Sequence, residues 1–172
     1  DKTRIPLKID ISTGDVITPC EISFSYQLMF ENRTIPLLAY PPETVLAEKL
    51  ETILSRGAAN TRLRDFYDVY ILQREDFVVT PDALRYALLA TCRKRGHEDL
   101  LHTYASILNE VRQSGAMRAQ WVKYQTDFDY AAGITWDTVL DTVETLCMKT
   151  LDDHAFGDEL PQEESQFEMH LL

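Results

Sequence analysis

The chain has 172 residues, 45% of them hydrophobic and 26% charged, with a formal net charge of −11. That is enough for one ordinary domain with its own core, and the acidity argues against general nucleic-acid binding, which needs Lys and Arg on phosphates. Three widely spaced cysteines, Cys20, Cys92 and Cys147, argue against a disulfide framework and for a reducing, cytoplasmic setting, while no CxxC or HxxxH pair suggests zinc and no run approaches the roughly 18 apolar residues of a membrane span.

The chain opens without Met and without a signal peptide, in the charged segment DKTR, so its start is expected to be a boundary rather than a natural N-terminus. RIPLKIDIS then alternates Ile5, Leu7, Ile9 and Ile11 with Pro6, Lys8, Asp10 and Ser12, a period of two that predicts a half-buried strand. After the turn STGD, EISFSYQLMF alternates again, with Ile22, Phe24, Tyr26 and Leu28 on one face. ENRT predicts a turn and IPLLAY a third short strand.

From residue 41 the period becomes helical. Pro41 and Pro42 suit the entry to a helix over 43–56, and Gly57 suits its end. A second helix is predicted from about Leu63. A third has Thr80 as N-cap, Pro81 in the first turn and Gly96 as its stop. HEDLLHTYASILNEVRQSG predicts a fourth, closed by Gly115, and AMRAQWVKYQTDF a fifth. TWDTVLDTVETLCMKTL predicts a sixth, capped by Thr135. No repeat period is found. Strands followed by helices predict an α+β fold: a β portion over 1–40, a helical domain of about six helices over 41–150, and a tail over 151–172. After Lys149 no Lys or Arg remains and seven acids follow, and without those seven the chain carries 21 acids against 17 bases, a net −4. The tail therefore predicts a solvated, partly disordered acidic segment, or one that docks on a basic partner.

The chemistry-bearing residues cluster in VLAEKLETILSRGAANTRLRDFYD, residues 45–68. Leu46, Leu50, Ile53 and Leu54 make the buried stripe of the first helix, and Lys49 lies at its edge, with Arg56 two turns on along the same side. Lys49 alone would be an amphipathic lysine whose stem covers apolar surface. In the next helix Asp65 and Asp68 are three apart and share a face. Asp65 suits the helix start, where an acid complements the dipole. Asp68 lies in a run that is apolar nearly all round, so it is expected to be buried and paired, with Lys49 or Arg64. Lys8 and Asp10 would add a cation and a carboxylate from the first strand. Carboxylates that hold Mg²⁺, beside Lys or Arg that neutralise phosphate, are the parts of a phosphoryl-transfer site. The basic run RKRGH at 93–97 is expected to complement a helix C-terminus, with an RNA contact as the alternative.

The segment LAEKLETILSRGAANTRLRDFYDVYIL resembles the Lys-Leu … Arg … Arg-Asp-x-x-Asp segment of the AbiEii/AbiGii toxins, which are nucleotidyltransferase-fold proteins of bacterial toxin–antitoxin and phage-abortive systems. PLKIDIS resembles the family's strand with a third acid, and QWVKYQTDFDYAAGITWDTVLDTVETL resembles its C-terminal helices, so the resemblance covers most of residues 4–150. It implies that the β portion is a remnant of a nucleotidyltransferase sheet. It implies catalytic roles for Asp10, Lys49 and Asp68, and nucleotide or phosphate contacts for Lys8, Lys49, Arg56, Arg64 and Asp65. It implies Mg²⁺ on Asp10, a nucleoside triphosphate as substrate, RNA or tRNA as acceptor, and an antitoxin as partner. The family's first motif, Gly-Ser or Gly-Gly followed by Asp-x-Asp, has no counterpart before residue 10, and the DFD at 127–129 stands between helices, in the wrong place to supply it. The chain is therefore expected to be the latter two-thirds of such a protein, inactive by itself. The alternative is a non-catalytic helical interaction module in which Lys49, Arg64 and Asp68 form structural ion pairs. An enzyme needs Asp10, Lys49 and Asp68 on one open cleft, whereas a module closes Lys49 against Asp68 and away from solvent.

Overall fold

The structure, a computed structural model, describes residues 6, 8, 9, 11, 13–74 and 79–152. Two strands form an antiparallel pair, β1 (Ile22–Gln27) and β2 (Thr34–Ala39), with Phe24 opposite Leu37 and Tyr26 opposite Ile35. Six α-helices follow among the described residues: α1 (Pro42–Arg56), α2 (Leu63–Arg74), α3 (Pro81–Arg95), α4 (Leu100–Gln113), α5 (Gly115–Asp127) and α6 (Trp136–Leu151). The α+β order read from the sequence is thus the order observed.

The strand expected over 5–12 is not formed by its described members. Pro6, Lys8, Ile9 and Ile11 belong to no strand, and Ile9 and Ile11 are exposed. Alternation provides an apolar face but no partner for the backbone groups, and a strand exists only where a neighbour accepts its ladder of hydrogen bonds. Asp10 lies outside the described residues, as do residues 153–172 of the predicted tail. The helical part runs slightly past the expected boundary at 150. Leu151 ends α6, and Tyr104 Oη donates to Asp152 Oδ1 at 2.5 Å.

The core belongs to the helices. Leu46, Ala47, Leu50 and Ile53 of α1 are fully buried, as the predicted stripe requires, together with Phe66 and Val69 of α2 and Val139, Leu140 and Val143 of α6. Each such side chain other than Ala47 contributes roughly 1.5–3 kcal/mol by leaving water. α1 packs on α2, α3 and α4, and α2 packs on α5 and α6. Aromatic rings join these layers, with Trp136 5.1 Å from Phe66 and 5.8 Å from Trp121, whose Nε1 donates to Ile134 O at 2.8 Å. One carboxylate is buried in the α1–α3 seam: Glu51, 2% exposed, pairs with Arg95, which also reaches Glu48, and accepts from His97 Nδ1 at 2.6 Å. Arg93 contacts Glu98 at 3.1 Å. The basic run 93–97 is therefore largely engaged within the molecule.

Helix ends follow local chemistry. Thr80 and Thr135 accept from the backbone N–H groups of Ala83 and Thr138, and Gly96 adopts φ +70° to close α3. Gly115 is a correction: it does not stop α4 but opens α5. Ser114 ends the one helix and caps the other by accepting from Met117 N, because its hydroxyl can do at an N-terminus what a glycine cannot.

Candidate functional site

The loop from α1 to α2 brings the cationic edge of one helix against the acidic start of the next. Asn60 is fully buried in it and its Oδ1 accepts from Arg62 N at 2.7 Å, fixing the chain's entry into α2. Asp65 then falls in the first turn of α2, and Asp68 one turn later on the same face.

Lys49 lies between them. Its Nζ is 2.6 Å from Asp65 Oδ1 and 2.7 Å from Asp68 Oδ2. The two carboxylates differ in environment, and Asp68 departs from the sequence expectation. Asp65, expected to complement the start of α2, does lie in its first turn but is 2% exposed, and its side chain takes Lys49. Asp68, expected to be buried, keeps a quarter of its side chain in solvent. The reason is geometric: Asp65 faces α1 across the helix seam, while Asp68, one turn on, sits where the seam opens. Burial pulls the Lys49 pKa down, but the hydrogen bonds and charges of Asp65 and Asp68 outweigh it and hold the ammonium above its ordinary value.

Two arginines flank the pair. Arg62 Nε lies 3.2 Å from Asp65 Oδ2, a charge contact without hydrogen-bond geometry, so that buried oxygen has no hydrogen-bond partner among the described residues. Arg64 Nε is 3.8 Å from Asp68 Oδ1 and its side chain is 76% exposed, a loose contact.

These groups line an open cleft of about 710 Å³, whose other wall is the C-terminal half of α5, with Gln120, Lys123, Tyr124 and Asp127, and the Phe128 that follows it. Four cations, Lys49, Arg62, Arg64 and Lys123, face three carboxylates, Asp65, Asp68 and Asp127. The cleft is thus locally positive in a strongly acidic chain. Lys49, Arg64, Asp65 and Asp68 are brought together as the spacing suggested. Arg56, at the exposed C-terminus of α1, and Lys8, exposed before the hairpin, are not among the lining residues. Arg62, Lys123, Asp127 and Phe128 were not singled out from the sequence. The DFD of 127–129 was the available signal, set aside as a misplaced first motif, yet its Asp127 and Phe128 belong to this cleft.

Among the described residues no group of three or more His, Cys, Asp or Glu side chains has metal-binding placement, and the position between Asp65 and Asp68 is filled by the Lys49 ammonium. What the arrangement can do is present positive charge to an anion. An ammonium has three donors; two are spent on Asp65 and Asp68, which leaves one for a ligand, already oriented. Lys49 and Asp68 are in direct contact, as a structural module requires, but beside an open cleft, as an enzyme requires.

Residues 1–142 match the family model described as nucleotidyl transferase AbiEii toxin, Type IV TA system. No curated protein and no solved structure matches the chain. No helix among the described residues is long and apolar enough to cross a membrane.

Proposed function

The chain belongs to the family of nucleotidyl transferase AbiEii toxins of Type IV toxin–antitoxin systems, and on that premise we propose that its cleft receives the triphosphate of a nucleotide to be transferred to an RNA acceptor, tRNA in the first place. The observation that carries this reading is the clamped ammonium of Lys49, 22% exposed, beside the loosely held guanidinium of Arg64. Lys49 offers a fixed charge and one spare donor, and Arg64 has the freedom to close on phosphate as a planar fork. Arg62 and Lys123 supply the remaining charge around a chain of phosphates. Asp65 positions Lys49, and Asp68 stands at the edge of solvent where a reacting group has access to it.

Mg²⁺ is part of the proposed chemistry, where it would neutralise charge developing on the phosphates. Asp10 is the carboxylate proposed to hold it, as the family resemblance implies. The 172 residues alone are proposed not to transfer nucleotides, because no Asp-x-Asp after a glycine pair precedes residue 10. Radiolabelled triphosphate transferred to tRNA by this chain would overturn that statement. A cytoplasmic setting and an antitoxin partner complete the proposal.

Binding of a nucleoside triphosphate, measured by titration calorimetry on the chain and on Arg64→Ala, tests the cleft. A charge-assisted hydrogen bond is worth about 1.5–3 kcal/mol, so affinity should fall by about tenfold or more without loss of thermal stability, since Arg64 is mostly in solvent. The direct contact of Lys49 with both carboxylates favours a second reading, a non-catalytic interaction module in which the ion pairs only join α1 to α2. Absence of any triphosphate binding would favour it.

A further inference from the structure

The wall of the cleft opposite Lys49 ends in rings that the helical core does not use. Phe128 follows the last residue of α5, with its N–H donating to Tyr124 O at 3.0 Å and its carbonyl accepting from Ala131 N at 2.9 Å. This tight exit turns Phe128 and Tyr130 outward, 41% and 49% exposed. They are nevertheless fixed in orientation. The two rings stack on one another, with centroids 5.4 Å apart and planes 29° apart. Tyr124 packs under Phe128 at 4.7 Å, Tyr67 lies 4.8 Å from Tyr130, and the hydroxyls of Tyr124 and Tyr130 are joined at 2.9 Å. Phe128 lines the same cleft as Arg62, Arg64 and Lys123.

Exposed rings with locked orientation next to clustered cations are the two halves of a nucleotide contact: a π face for a base and positive charge for its phosphates. A purely apolar protein partner would leave those cations unused, and a simple anion would leave the rings unused. We propose that Phe128, backed by the stacked ring of Tyr130, forms a base-stacking shelf, holding a nucleobase whose phosphates lie against Arg62, Arg64 and Lys123. The inference rests on the phosphate reading of the cleft and adds the residues that would grip the base. The base belongs either to the bound triphosphate or to the unpaired end of the RNA acceptor.

Three probes separate these cases on the unmodified chain: inorganic tripolyphosphate, a ribonucleoside triphosphate, and a short single-stranded oligoribonucleotide, each by titration calorimetry. Stacking on an aromatic side chain should make a base-bearing probe bind about tenfold more tightly than tripolyphosphate. Phe128→Leu should remove most of that gain and leave tripolyphosphate binding unchanged, and Tyr130→Phe, which keeps the ring, should retain it. A loss confined to the triphosphate assigns the shelf to the substrate base, and a loss confined to the oligonucleotide assigns it to the acceptor end. Equal affinity of the chain for all three probes overturns the shelf without touching the phosphate reading, and needs no variant to be read. Equal weakening of all three by Phe128→Leu also overturns it, because the ring would then serve the fold. Failure of tripolyphosphate to bind at all overturns the phosphate reading, and the shelf with it.

Discussion

Lys49 holds two carboxylates at once, and the costs of removing it fall on the one that cannot reach water. Asp65 is 2% exposed and keeps only the off-geometry charge of Arg62 when Lys49 is lost. Breaking a buried pair from one side costs about 3–5 kcal/mol, so Lys49→Met should destabilise the chain by about 3 kcal/mol in urea unfolding. Adding Asp65→Asn should recover part of the loss, since the uncompensated charge goes with it. The pH dependence has a definite sign. The folded-state pKa of Lys49 is raised above 10.5 by Asp65 and Asp68 against the opposing effect of burial, so its contribution is fully present below that value and is lost as pH rises through the folded pKa. The stability difference between the chain and Lys49→Met should stay level from neutrality to about pH 10 and shrink beyond it. The thiols give a separate check on burial. Cys92 and Cys147 are fully buried, and desolvation pushes both up to about 12, whereas Cys20 is exposed. A maleimide at neutral pH should label Cys20 in the native chain and all three cysteines only after unfolding.

The helices were legible because their signals are local. Thr80, Thr135, Pro42 and Gly96 act within one turn of where they stand, and each does in the structure what its chemistry predicts. Thr80→Ala removes the oxygen that accepts from Ala83 N and should cost about 1 kcal/mol. Gly96→Ala meets nothing within 4 Å, so its cost is purely that of a Cβ at φ +70°, about 1 kcal/mol. Both should lower the urea midpoint with an unchanged slope, and a larger loss at Gly96 would mean that space, not φ, decides. Gly115 misled because glycine marks the end of one element and the start of the next equally well when the connection is a single residue, here Ser114. The apolar run around Asp68 likewise predicted it to be buried. Such a pattern reports which face a residue occupies but not how fully a neighbour covers that face, and here Asp65 is 2% exposed while Asp68 keeps a quarter of its side chain in solvent. The far wall of the cleft was not legible for a related reason: α5 lies about fifty residues from α2 in sequence, and only packing brings Lys123 and Phe128 opposite Arg64.

The molecule divides into a helical body with a complete core and a hairpin that shares none of it. All six residues of β1 are exposed, and Phe24, Tyr26, Leu37 and Leu38 remain 43% or more in solvent. What ties this end to the body is narrow. The buried hydroxyl of Thr44 in α1 accepts from Thr18 N and donates to Thr18 O. A two-stranded hairpin is only marginally stable without a third strand or a packed face. The helices, by contrast, bury Phe66, Trp121 and Trp136 against one another and can open only by giving up that contact. The sequence announced the strands by alternation but carried no sign that their apolar face would stay uncovered, since alternation reads the same whether or not a partner lies against it. Local stability should therefore be sharply unequal, because opening free energy follows buried contact rather than hydrogen-bond count. In native-state hydrogen exchange, amides of Ile22–Gln27 and Thr34–Ala39 should exchange with almost no protection, while those of Leu46–Leu54 and Val139–Leu146 should approach the global unfolding limit. Protection of the hairpin equal to that of α1 would show that its apolar face is covered in solution. Dilution over a wide concentration range would then tell whether a second copy is the cover, since protection lost on dilution requires a partner molecule.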